Sequence, residues 1–383
     1  MDLSKNIIAE FWTSPSLEIC SNPKQNLIDK GLLPWAQEQE NLKSHLLIPT
    51  SGTTGEPRWI ALSKRAMLNA AQQVNQIFTI TNKDVFALNL PLFHVSGLSI
   101  LARSYLSEAQ CCDLRNLDTN GNIQWDAKTW HQQCQIQQVT IISLVPTQVA
   151  DIINLELSCP KSIRIAFVGG DYLAPKIKQQ ASDLGWPLHL CYGMTETSAM
   201  LAVANKPNGK MKLLPNWQYQ QAPTGKAQFK GPALCSGYIK LTQQQWHFNS
   251  SIDNEGWFTS DDHIKFNEQD EIEHIERDQA ICKILGEKIS LSTQLMDLQS
   301  AIKQVNLPVQ QAHIFAKPHS RRGAILIPTW ENLQKLDEQV LMQKLIEARN
   351  IYHTKQNTRI TELEPWQIVS KFKRSSLNKV NLQ

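Results

Sequence analysis

From residue 50 to residue 59 the chain reads TSGTTGEPRW, and its first six residues are all glycine or hydroxyl-bearing. Such a stretch sets backbone N–H groups and hydroxyls side by side under little side-chain bulk, and it runs on to a cation, Arg58. Glycines let amides approach an anion, hydroxyls add donors and an arginine neutralises charge, so the composition fits a phosphate. A plain surface loop can have the same composition. The motif is not that of a P-loop NTPase, because Glu56 and Pro57 follow Gly55 where a lysine and a hydroxyl residue would be needed.

The flanks decide what the loop belongs to. HLLIPT (45–50) reads as a short buried strand leading into it. Beyond it, Ser63 is placed to cap a helix with Met67, Ala70, Ala71, Val74, Ile77 and Phe78 at helical spacing. The runs DVFALNLPLF (84–93), VTIISLVPT (139–147), SIRIAFVGG (162–170) and PLHLCYGMTE (187–196) are strand-like and end at proline, glycine or polar residues. Helical or mixed segments separate them, which predicts an α/β fold with substantial parallel sheet. In such sheets the ligand-binding loops gather at the carboxyl ends of the strands. Past residue 225 the texture becomes that of short antiparallel strands, as in KGPALCSGYIKL and GWFTSDDHIKF. Mixed α and β return from about residue 277, with an amphipathic helix through Leu341, Leu345, Ala348 and Tyr352.

Composition narrows the class. With 42% hydrophobic and 19% charged residues the chain has the balance of a globular protein, not a disordered one. Its net charge of +3 gives no reason to expect a nucleic-acid partner. The opening MDLSKNIIAEFW lacks a long apolar core, so no signal peptide is expected. No run approaches the roughly 18 apolar residues of a membrane span. The eight cysteines are scattered without a C-x-x-C pair, a pattern of reduced thiols in a cytoplasmic protein.

Taken in order, TSGTTGEPR, LPLFHVSGL, VGGDYL, CYGMTETS, GWFTSDD, IERDQAICKILGEKIS and SKFKRSSL resemble the motifs of the adenylate-forming superfamily of acyl-CoA ligases, adenylation domains and luciferases. The resemblance spans residues 46–378. LPLFHVSG and SLVPTQ look most like the o-succinylbenzoate–CoA ligases of menaquinone and phylloquinone biosynthesis. The resemblance implies a large domain over residues 1–276, with α/β sheets and a β subdomain binding ATP and the acyl group. It implies a small mobile α+β lid domain over residues 277–383 that carries the catalytic lysine. It also implies ATP, Mg2+, coenzyme A and a small carboxylic acid as ligands. Relatives carry a longer segment before the loop, so a shortened N-terminal part is expected, and with it a homodimer to cover exposed surface.

The same resemblance assigns residues. Thr50, Ser51, Gly52, Thr53, Thr54, Gly55 and Arg58 would wrap the β- and γ-phosphates, with Arg58 and Trp59 where a lysine and a small residue are usual. In YGMTE, Tyr192 would stack on adenine beside Gly193, Thr195 would donate to the α-phosphate and Glu196 would bind magnesium. Gly169 and Gly170 would form a wall between the adenine and acyl pockets. Asp262, five residues after Trp257, would hold the ribose in place of its neighbour Asp261, together with Arg277. Gln279 takes the position of an acidic hinge. Lys371, in register with Arg374 and Leu377, would stabilise the first transition state. His94 and Ser96 would line the acyl pocket, and Arg103 would pair with a second substrate carboxylate. Outside the motif, the plain alternatives are a solvated loop carboxylate for Glu196, a core or capping histidine for His94, a surface helical arginine for Arg103 and a solvated basic tail for Lys371. Three other functions share the motifs: activation of another aryl or fatty acid, transfer to a carrier-protein thiol, or a non-catalytic binding role.

Overall fold

The computed structural model describes residues 5–20, 31–51, 57–119, 121, 123–171, 173–277, 281–332, 336–355 and 361–370. The chain divides into two compact units, one of residues 1–50 and 57–278 and one that includes residues 279–383.

The first unit is built on a seven-stranded sheet among the described residues. Its strands run, in spatial order, Lys212–Leu213, Ala202–Val203, Leu188–Tyr192, Ile165–Val168, Ile141–Leu144, Val85–Leu88 and Gln110–Asp113. The last five are mutually parallel. Ile141–Leu144 and Ile165–Val168 are buried at every position, as central parallel strands covered on both faces must be. Because side chains alternate across a strand, the sheet feeds two cores. Phe86, Leu88, Ile141, Ile165 and Phe167 pack with the helices Lys64–Ile77 and Val95–Ser107. Ala87, Ile142, Leu144, Ala166 and Val168 pack with residues such as Trp130, Val149 and Ala181 from the helices Ala127–Ile136, Pro146–Asn154 and Pro175–Asp183.

The helix after the phosphate-like loop is the one its sequence predicts. Ser63 Oγ accepts the N–H of Ala66 at 3.0 Å, and Met67, Ala70, Ala71 and Val74 are buried on one side. A five-stranded sheet holds the strands either side of that loop, in the order Glu18–Ile19, His45–Ser51, Pro57–Ser63, Gly237–Thr242 and Gln245–Ser250. Antiparallel pairing begins earlier than the expected residue 225, at Ala202–Val203 against Leu188–Tyr192. The nine residues 193–201 join Ala202–Val203 to Leu188–Tyr192, fewer than a parallel crossover needs, so the returning strand runs antiparallel.

The second unit has its own core. A three-stranded sheet of Ala312–His319, Gly323–Glu331 and Gln367–Val369 packs with the helices Leu291–Gln304 and Glu338–Lys355. Leu341, Leu345, Ala348 and Tyr352 are all buried there, as their spacing requires.

Candidate active site

Parallel strands end at one edge of their sheet, and here that edge collects residues from three loops. Val85–Leu88 leads to the turn before His94, Ile165–Val168 to Gly169 and Gly170, and Leu188–Tyr192 to Thr195 and Glu196. Gly170 has φ +89°, a left-handed conformation that glycine adopts without penalty. Gly193 allows a close approach: a Cβ there would stand 2.2 Å from the Ala199 carbonyl oxygen.

Glu196 sits in the short helical turn Thr195–Thr197 and is 3% exposed. The turn is pinned from outside. The Cys235 N–H donates to the Glu196 carbonyl at 2.8 Å, and Ser198 Oγ donates to the Ala233 carbonyl at 2.8 Å. Ser198 and Ala199 both hold positive φ, 56° and 80°, which for non-glycine residues is local strain held by these ties. The Glu196 carboxylate is therefore no solvated loop group. Its Oε1 accepts from Arg58 Nη2 and from the Tyr238 hydroxyl, each at 3.2 Å. The Arg58 guanidinium also lies 4.4 Å from the centre of the Tyr238 ring. Burial, and then the charge of Glu196, push the Tyr238 phenol well above its ordinary range and keep it a neutral donor. Tyr238 was not singled out in the sequence. Its only signal was its place after Gly237 in SGYIKL, a strand paired to Pro57–Ser63 through Tyr238 and Ile60.

The two aspartates of GWFTSDD have different neighbours. Asp262 is buried, and its Oδ2 accepts from the Tyr192 hydroxyl at 2.7 Å. In the antiparallel pair Asp262–Phe266 with Ile272–Arg277, Asp262 stands opposite Arg277 in register. Asp261 pairs with Lys226 Nζ at 2.8 Å, with its side chain 43% exposed.

Arg103 is not on the surface. It is 2% exposed on the inner side of the helix Val95–Ser107. Its Nε donates to the Ser99 carbonyl and its Nη2 to Ser143 Oγ, each at 3.0 Å, and the guanidinium lies 4.8 Å from the Phe167 ring centre. Nη1 is buried with no hydrogen-bond partner among the described residues. Burial lowers its pKa to about 10, and the ionisable groups that bear on it are the thiols of Cys191 and Cys111, which burial itself holds in the neutral form. His94 stands at the N-cap position of the same helix without capping it through its side chain, and its ring lies 4.7 Å from that of Phe93. Ser96 lies in the first turn, half-buried.

Thr50 and Ser51 end the strand His45–Ser51. Gly52, Thr53, Thr54, Gly55, Gln279, Lys371, Arg374 and Leu377 lie outside the described residues. Among the described residues no cluster of three or more His, Cys, Asp or Glu could cage a metal. A lone buried carboxylate such as Glu196 suits an ion whose other ligands are phosphate oxygens and water.

Residues 11–227 match the family described as AMP-binding enzyme, and the chain belongs to that family. More particular likenesses are to 2-succinylbenzoate–CoA ligases. That of Enterococcus faecalis is 26% identical over 295 residues, covering 72% of this chain and 57% of the relative. That of Bacillus licheniformis is 28% identical over 228 residues, 56% of this chain and 45% of the relative. The chain thus spans about half the length of these curated relatives. Among solved structures, o-succinylbenzoate CoA synthetase from Bacillus subtilis, as a double mutant with a product analogue, superposes with a TM-score of 0.69 at 20% identity, over 88% of this chain and 67% of that one. The same synthetase in complex with ATP and magnesium ion gives 0.54 at 20% identity, over 88% and 68%. An amide bond synthetase from Marinactinospora thermotolerans gives 0.68 at 16% identity, over 88% and 68%. These structural likenesses establish the fold.

Proposed function

We propose that the chain is an AMP-forming acid–thiol ligase that converts o-succinylbenzoate to its coenzyme A thioester. In the first step a carboxylate oxygen of the acid attacks the α-phosphorus of ATP, and the bond to pyrophosphate breaks. In the second the coenzyme A thiol attacks the acyl carbon, AMP leaves with the bonding electrons and the thiol proton passes to solvent. Both reactants of the first step are anions, so the protein's work is to neutralise, align and exclude water. Tyr192 would face the adenine and Gly169 and Gly170 would separate it from the acyl pocket. Asp262 would accept from the vicinal ribose hydroxyls with Arg277 opposite it. Thr50–Gly55 and Arg58 would hold the outer phosphates, and Thr195 the inner one. Glu196 would hold Mg2+, which supplies charge neutralisation on the phosphates. Lys371 would bridge carboxylate and α-phosphate, and His94 and Ser96 would line the acyl pocket. The setting in this reading is cytoplasmic and the assembly a homodimer. No helix among the described residues is long and apolar enough to cross a membrane.

The observation that carries the substrate is Arg103, a buried cation with a spare N–H and no carboxylate partner among the described residues. Leaving such a group unpaired is costly, and a second carboxylate on the acid would supply the missing anion. A fatty acid, with a single carboxylate already committed to the chemistry, would not. The likeness to 2-succinylbenzoate–CoA ligases supports the same acid. The test is Arg103→Leu. It should raise the KM for o-succinylbenzoate steeply and leave that for ATP almost unchanged. The preference for o-succinylbenzoate over benzoate should narrow by roughly tenfold to a hundredfold, about 1.5–3 kcal/mol. A wild-type preference for monocarboxylic acids would remove o-succinylbenzoate as the substrate.

A further inference from the structure

We propose that Arg58 is a placeholder for the metal, so that a divalent ion gains Glu196 only when a polyphosphate draws the guanidinium away. The inference rests on the reading of Glu196 as the metal ligand. The Glu196 Oε1 accepts from two donors, Arg58 Nη2 and the Tyr238 hydroxyl. The carboxylate is nearly fully buried, so a second cation beside Arg58 would meet strong, poorly screened repulsion. Tyr238 fixes this pairing: its ring lies against the guanidinium while its hydroxyl donates to the same oxygen. A planar guanidinium can stack on a ring while its edge hydrogen-bonds a carboxylate. Arg58 is the second residue of the strand Pro57–Ser63, which pairs with the strand of Tyr238, and Ile60 lies opposite Tyr238 in that ladder. With its strand held in that ladder, the arginine would leave Glu196 for an incoming phosphate by rotating its side chain. Phosphate is a strong bidentate partner for it. Metal and nucleotide then bind as a coupled pair, each favouring the other.

Binding of Mn2+, followed by electron paramagnetic resonance on the full chain, tests this without turnover. Wild type should take up Mn2+ weakly alone and roughly tenfold to a hundredfold more tightly with the non-hydrolysable α,β-methylene ATP. Arg58→Gln should bind Mn2+ alone more tightly than wild type, with most of the coupling to the analogue gone. Tyr238→Phe, which keeps the ring, should loosen the clasp partly and shift free Mn2+ binding in the same direction. Arg58→Gln that binds the analogue with Mn2+ yet shows wild-type weakness for free Mn2+ would overturn the placeholder role. So would tight binding of free Mn2+ by wild type. A Glu196→Gln variant separates the two levels. If it keeps full Mn2+ affinity in the presence of the analogue, the metal assignment itself fails, whatever Arg58 does.

Discussion

Asp261 and Asp262 are neighbours in the chain and not in the structure, and the contrast lends itself to a direct measurement. Asp262 is buried against the Tyr192 hydroxyl, whereas Asp261 reaches outward to Lys226. In the proposed site only Asp262 can accept from a ribose. Asp262→Asn should weaken ATP binding by about 1.5–3 kcal/mol, the worth of a hydrogen bond to a charged acceptor, and Asp261→Asn should leave it nearly unchanged. Calorimetric titration of ATP into the two variants decides the matter, and a larger loss in Asp261→Asn would mean the wrong aspartate has been assigned. Lys371 carries a prediction of a different kind. If its charge serves only the first transition state, Lys371→Ala should cripple pyrophosphate release while sparing thioester formation from presynthesised acyl-adenylate. Equal loss of both half-reactions would count against that role. The spacing from Trp257 picks Asp262 over Asp261 in the sequence, and in the structure Asp262 is the buried one of the two. No spacing rule could show that Arg58, Glu196 and Tyr238 meet, because that depends on a strand pairing nearly 180 residues apart along the chain. The burial of Arg103 was hidden for a similar reason. A helical arginine reads as a surface group until Ser143 and Phe167 of the neighbouring strands are seen to receive it.

At the scale of elements, the sheet has a working edge and a fastened one. At the amino ends of three parallel strands, Arg164 grips Asp84 through Nε at 2.8 Å and Nη2 at 2.7 Å, and Thr140 Oγ1 donates to the same carboxylate at 2.8 Å. Burial alone would raise the Asp84 pKa, but the hydrogen bonds from Arg164, the Thr81 N–H and Thr140, with the charge of Arg164, together outweigh it and hold the carboxyl below its usual range. A carboxyl depressed in the folded state contributes stability above its unfolded pKa and loses it as pH falls through the folded value. Arg164→Ala should therefore cost about 1–3 kcal/mol at neutral pH and progressively less as pH falls below the ordinary carboxylate range, as read by denaturant unfolding across a pH series. A penalty independent of pH would show that the ion pair is not what fastens this edge. Ser63→Ala should cost about 1 kcal/mol by removing the cap of the helix that follows the phosphate-like loop. These elements were legible because each rests on a local signal: an apolar run stopped by proline or glycine, or a hydroxyl set before helical spacing. The antiparallel edge at Ala202–Val203 was not, since a two-residue strand has too few positions to show a period.

Over the whole molecule, the two units carry separate cores, one on the large parallel sheet and one around Trp330, Leu345 and Tyr352. The order of motifs along the chain pointed to this superfamily before any single motif could, since each one alone also reads as a loop, a turn or a tail. The proposed acid rests on the likeness to 2-succinylbenzoate–CoA ligases and on the buried Arg103. The central claim is that this chain joins a dicarboxylic aromatic acid to a thiol by way of an adenylate. It is tested most directly by incubating the full chain with ATP, Mg2+ and coenzyme A, following pyrophosphate release, and identifying the thioester by mass. Pyrophosphate release that depends on o-succinylbenzoate, with AMP and the o-succinylbenzoyl thioester formed in equal amounts and benzoate a poor substitute, is the predicted result. Absence of acid-dependent pyrophosphate release across aryl and fatty acids, from protein that binds ATP, would contradict it.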